Sequence, residues 1–134
     1  QPRSRGLGDV YKRQMRGHEQ ACLQMQTFAP SDLGISTVTL FELLAGVERC
    51  QQPERERIKV ARLIEPLHLI PFDADAAAEA ARIRWTLEQK GSPIGPYDLQ
   101  LAAQALAIDV TLVTHNTREF QRVPGLRLTD WQKS

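Results

Sequence analysis

Short runs of apolar residues alternate along this chain with longer stretches whose apolar positions recur every three to four residues. His18 to Phe28 reads as a helix with Ala21, Leu23, Met25 and Phe28 as partial apolar support, stopped at Pro30 and turned by Ser31-Asp32. Leu33 to Ser36 suits a short buried strand. Thr37 to Arg49 then carries Leu40, Leu43, Leu44 and Val47 on one helical stripe, with Val38, Phe41 and Ala45 extending the apolar surface sideways. Pro53 is placed to open a helix ending near Leu67. His68 to Phe72 is a second short strand. Asp73 or Asp75 can cap a long helix to Lys90, along which Ala76, Ala80, Ile83 and Leu87 recur at helical spacing before Gly91 stops it. Ser92 to Pro96 is a constrained loop, and Tyr97 to Ala107 a helix with Leu99, Ala102, Ala103 and Leu106 along one face. Val110 to Val113 is the clearest strand, β-branched and apolar. Thr117 to Gln121 is a helical turn, and Leu126 to Leu128 a last strand. Strands alternating with helices predict βαβ units, hence an α/β fold with a mostly parallel sheet flanked by helices.

Composition narrows the function classes. With 134 residues, 42% hydrophobic and 25% charged, the chain has the make-up of one soluble globular domain. No apolar run approaches the roughly 18 residues that cross a bilayer, and no apolar stretch follows the N-terminal charges as in a secretory signal. Cys22 and Cys50 stand alone, without a partner at ligand spacing, which argues against a zinc site or disulfide framework and for a reducing cytoplasm.

Charge is unevenly spread. Residues 1–14 hold Arg3, Arg5, Lys12 and Arg13 against Asp9, whereas residues 15–134 hold thirteen basic and fifteen acidic side chains. The body is slightly acidic, so it lacks the broad basic face of a general nucleic-acid coat. Any RNA bound would be held locally, with a cation bridging the repulsion. The first fourteen residues show no sustained period of 2 or 3.6 and look like translated adapter sequence, a non-native segment ahead of a domain spanning 15–134; a natural basic arm is the alternative.

Three polar residues stand out by position. Glu42 is the only charge in the ten residues Thr37 to Gly46, and its helical neighbours are Val38, Phe41, Ala45 and Gly46. An ionised carboxylate there is costly unless something positive meets it; the competing reading is a Thr39-x-x-Glu42 capping box at the helix start. Asp98 opens the helix after Ile94-Gly95-Pro96, where a first-turn acid also complements the helix dipole. Asn116 follows the strongest strand, where an Asx-turn or helix cap would serve equally. All three fall just beyond strand ends or at helix starts, the rim where parallel α/β sheets bind ligands. Carboxylates and an amide together suit a hard cation such as Mg2+ or Mn2+ and, through it, phosphodiester hydrolysis.

Three stretches add a resemblance. Ile35-Ser-Thr-Val-Thr-Leu-Phe-Glu-Leu-Leu-Ala-Gly-Val-Glu48 resembles the second strand and following helix of VapC-type PIN domains. Ile94-Gly-Pro-Tyr-Asp98 with Leu101-Ala-Ala103 is similar to their third-acid helix. Leu112-Val-Thr-His-Asn-Thr-Arg-Glu-Phe120, Val123-Pro-Gly-Leu126 and Asp130-Trp131 resemble their closing strand and tail. The resemblance implies a PIN-like three-layer fold and a Mg2+- or Mn2+-dependent, single-strand-specific endoribonuclease. It would be the toxin of a toxin–antitoxin pair, commonly a homodimer, restrained by a small antitoxin whose tail covers the acidic site. Carried over, Glu42 and Asp98 become the metal-associated acids, Asn116 the fourth polar position, and Thr114 a group orienting water or phosphate.

One motif is absent. The family opens with a central apolar strand ending in an Asp-Thr-Asn-like motif, and residues 1–30 contain no such stretch; Asp9 lies near the expected distance but its flanks do not match. The sequence thus predicts a PIN domain whose first strand is missing or replaced, poorly stable and weak or dead in catalysis. The alternative function is a PIN-like module without metal chemistry that binds an antitoxin or other protein. A DNA flap nuclease fits less well, because the chain leaves no room for a threading arch.

Overall fold

A computed structural model describes residue 29 and residues 32–130. The segment 1–14 with Asp9, the expected helix over His18–Phe28, Cys22 and Trp131 lie outside these residues. Within them the order is β1 (Gly34–Ser36), α1 (Thr37–Glu48), α2 (Pro53–Ile64), β2 (His68–Ile70), α3 (Ala74–Gln89), α4 (Pro96–Ala107), β3 (Leu112–Val113), α5 (Thr117–Phe120) and β4 (Leu128–Thr129). No helix among the described residues is long and apolar enough to cross a membrane.

The helix starts follow from local chemistry. Ser36 is the N-cap of α1: its hydroxyl accepts the Val38 N–H at 2.9 Å. The cap thus lies three residues before Thr39, which is buried inside the helix, and the expected Thr39–Glu42 capping box does not form. Pro53 opens α2, and Glu54 and Glu56 in its first turn complement the dipole. Asp73, rather than Asp75, caps α3 by accepting the Ala76 N–H at 3.0 Å. At the other end of α3, Gly91 takes φ +67°, so that Gly91 N–H reaches Glu88 O and Ser92 N–H reaches Leu87 O, closing the helix as a Schellman turn.

The same device shortens a predicted strand. Asp109 adopts φ 55°, and the Val110 N–H turns back to Ala105 O at 3.0 Å. Val110 is therefore spent on the end of α4, and β3 begins at Leu112 instead of Val110. At the C-terminal side, Leu126 N–H bonds Val123 O within a turn containing Gly125 at φ +81°, which moves β4 from the expected 126–128 to 128–129.

Both ladders among the described residues are parallel, as the alternation predicts. β1 pairs with β2 in the register Gly34↔His68 to Ser36↔Ile70, and β3 with β4 through Leu112↔Leu128 and Val113↔Thr129. Among the described residues β1 and β3 share no ladder. The larger core lies where Ala80, Ile83 and Leu87 of α3 meet Leu101, Ala102, Ala103 and Ala105 of α4, backed by Leu112, Phe120 and Val123. The alanines of α4 have no bulk to hold α3 away. A smaller core joins Ile35 and Leu43 to Ile64 and Leu67. Trp85 is 65% exposed on α3 and belongs to neither core.

A buried polar bridge joins the two cores. Ser36 Oγ donates to Gln104 Oε1 at 2.6 Å, and Gln104 Nε2 donates to the Ile70 carbonyl at 3.0 Å. Ser36 and Gln104 are essentially inaccessible to solvent. A buried polar atom stripped of its partner costs about 1–3 kcal/mol. Ser36→Ala, which removes both the cap and the donor, should destabilise the fold by about 2–3 kcal/mol. Gln104→Met should do so by about 1–3 kcal/mol. In urea denaturation the double variant should lose less than the sum of the two, because both changes break one network.

Candidate metal and phosphate site

Asp98 occupies the third position of α4, which starts at Pro96 after the N-cap Gly95. It is only 9% exposed. The loop before it is tied to α5 from two directions: Glu119 Oε1 accepts the Gly95 N–H at 2.8 Å, and Arg122 donates to the Pro93 carbonyl at 3.0 Å. These bonds hold the first turn of α4 against the start of α5.

Asn116 is the N-cap of α5, and its side chain makes no capping bond to the backbone. Instead its Nδ2 donates to Glu119 Oε2 at 3.0 Å, while its own N–H donates to Thr114 Oγ1 at 3.0 Å. Thr114 is buried at the end of β3. Asp98 in turn lies close enough to Glu119 to help hold the Glu119 carboxyl below its ordinary pKa. Asp98 and Asn116 are thereby brought to one spot through a residue that the sequence had not singled out. Its signal was present, however: Asn116 and Glu119 have the i, i+3 spacing of a polar cap and an acid at a helix start.

Glu42 lies on α1. It is half-buried on the flank that carries Val38, which packs against the larger core, and Phe41, whose ring lies 6.1 Å from that of Tyr97 beside Asp98. This flank of α1 faces α4. Among the described residues no three His, Cys, Asp or Glu side chains are grouped closely enough to hold a metal ion by themselves. A cavity of about 290 Å³ opens between Leu87 and Glu88 of α3 and Ile94 and Leu99; none of the polar residues above lines it.

Residues 13–126 match the PIN domain family. The chain belongs to the PIN-domain family. It is 42% identical over 75% of its length to the tRNA(fMet)-specific endonuclease VapC of Salmonella typhimurium, covering 76% of that protein. It is 39% identical to ribonuclease VapC2 of Rickettsia felis, over 75% of each chain. Among solved structures, the crystal structure of DNA-bound VapBC from Salmonella typhimurium superposes with a TM-score of 0.82, at 32% identity and 98% coverage of both chains. The three-layer PIN fold expected from the sequence is therefore established.

In this PIN domain the electrostatics converge on Glu119. Burial pushes its carboxyl towards the neutral form, but the Gly95 N–H, the Asn116 amide, the Asp98 carboxyl and the charge of Arg122 together outweigh burial and hold it below its ordinary pKa. A carboxyl with a lowered folded-state pKa stabilises the fold fully above the unfolded pKa, and that contribution is lost as pH falls through the folded value. Glu119→Gln should therefore lower Tm most at neutral pH, and the gap from the parent chain should narrow as pH falls through the acid range. Thermal melts at pH 7, 5 and 3 measure this.

Proposed function

We propose that this chain is a Mg2+- or Mn2+-dependent endoribonuclease, the toxin of a toxin–antitoxin pair. The observation that carries the reading is the pair of hydrogen bonds by which Glu119 ties the Gly95 N–H, at the turn that presents the buried Asp98, to the Asn116 amide, at the meeting of two helix starts. The donor set fits a hard divalent ion, which prefers carboxylate and amide oxygens. Asp98 and Glu42 are the residues that would hold it. When bound, such an ion supplies charge neutralisation for a phosphate and makes water a better nucleophile.

The remaining residues act around that pair. Asn116 borders the site through its amide, and Glu119 fixes both Asn116 and the turn that presents Asp98. Thr114, with its hydroxyl engaged by the Asn116 N–H, positions Asn116 rather than reaching outward. The names of the Salmonella and Rickettsia relatives support RNA as the substrate class, and make tRNA(fMet) the first RNA to test. The VapBC complex among the similar structures supports a small antitoxin as partner. Homodimerisation and a cytoplasmic setting complete the proposal.

A second reading has its own observation. No Asp-Thr-Asn stretch occurs in the first thirty residues, which favours a PIN-like module that binds its partner with little or no turnover. The two readings separate in one assay series. The chain as it stands should cleave tRNA(fMet) weakly, with dependence on Mg2+ or Mn2+ and loss on chelation. A version whose residues before Met15 are replaced by an apolar strand ending in Asp-Thr-Asn should cleave about 100-fold faster, and Asp98→Asn or Glu42→Gln in that version should remove about as much. Cleavage that survives Ala at 42 and 98 would dispose of the nuclease reading.

A further inference from the structure

The exposed rings beside the acids call for an explanation that the core does not supply. Phe41 is 55% exposed and Tyr97 46%, yet the two are in contact across α1 and α4 with their planes tilted by 56°. Each directly precedes an acid of the proposed site, Glu42 and Asp98. Consecutive helix positions are turned by about 100°. Asp98 therefore lies at the floor of the junction while Tyr97 stands at its rim, and Phe41 closes the same rim from the other helix. Large aromatic side chains left half in water at such a place bury little against their own protein.

We propose that Phe41 and Tyr97 form a stacking platform for an unpaired nucleobase of the RNA, next to the phosphate that the acids engage. The inference rests on the nuclease reading above, which places a phosphate at Glu42 and Asp98; the base attached one nucleotide away is then the group that meets the rim. Charge supports the same occupant. The body from residue 15 onward carries more acid than base, so long-range attraction to the RNA backbone is weak and affinity has to come from contacts that do not depend on charge. Stacking on aromatic faces is such a contact, available to every base and strongest for bases not already stacked in a duplex. The platform thus selects single-stranded RNA, and a paired base cannot use it.

The test measures binding of the full chain to a short fluorescently labelled single-stranded RNA by anisotropy, with Mg2+ present and within a time that shows no cleavage. Phe41→Ala and Tyr97→Ala should each weaken binding about tenfold, while Phe41→Tyr and Tyr97→Phe stay within about twofold of the parent chain. Thermal melts should be little changed, since both rings are half exposed. An abasic ribose at one position of the RNA should weaken binding to the parent chain and erase its advantage over the alanine variants. Alanine variants that bind as tightly as the parent, in a setting where Asp98→Asn alters affinity, would refute the platform and leave the nuclease reading standing. Losses that persist against every abasic RNA, or that track a loss of self-association, would assign the rings to a protein interface and refute it as well. Failure of the parent chain to bind any RNA would refute both readings.

Discussion

The hydrogen bond from Ser36 to Gln104 is the constraint on which the arrangement of the site depends. Ser36 ends β1 and caps α1; Gln104 lies on α4 and also holds the carbonyl of Ile70 in β2. One buried pair thus fixes a strand end, a helix start and the helix that carries Asp98. Because neither residue meets water, breaking either side leaves polar atoms that nothing else can satisfy. Apolar packing alone would let α1 slide along α4, since one hydrophobic contact replaces another at little cost. Directional bonds do not permit that. Glu42 and Asp98 each lie six positions from a member of the bridge, so their spacing across the junction is inherited from it.

A second layer of order is built from helix starts. Gly95 and Asn116 are the N-caps of α4 and α5, and Glu119 accepts from the backbone N–H of the first and the side-chain amide of the second. Helix N-termini attract negative charge, and hydrogen bonds at these two starts help hold the Glu119 carboxyl below its ordinary pKa although burial pushes the other way. The same property makes this end of the domain suited to anionic groups, provided that the acids there have a cation to answer them. Structure and charge therefore point to one location from different directions.

Membership of the PIN family gives these contacts a common setting. The matched region runs from residue 13 to 126 and includes Glu42, Asp98, Thr114, Asn116 and Glu119. The structure departs from the sequence expectation mainly at element ends: strands of two or three residues, and helix ends that consume backbone donors expected in the sheet. Asp109 shows how. A left-handed residue after a helix directs the next N–H groups back onto the helix, and the following strand begins later than its hydrophobicity suggests.

Much was legible in the sequence alone. Helical spacing located α1, α3 and α4, Pro53 announced the start of α2, Asp73 or Asp75 that of α3, and quoted stretches around Glu42, Asp98 and Asn116 carried the family. These are local properties, set by side-chain periodicity and by residues whose backbone preferences are strong. What only the tertiary structure decided were pairings across long separations: Ser36 with Gln104, sixty-eight residues apart, and Glu119 with Gly95 and Asp98. Neither has a periodic signature, because a hydrogen bond between distant elements depends on how those elements pack and not on the residues beside each partner. For the same reason the Thr39–Glu42 spacing misled: it matched a cap in sequence, but β1 ends at Ser36, and the helix takes its cap from the residue where the strand lets go.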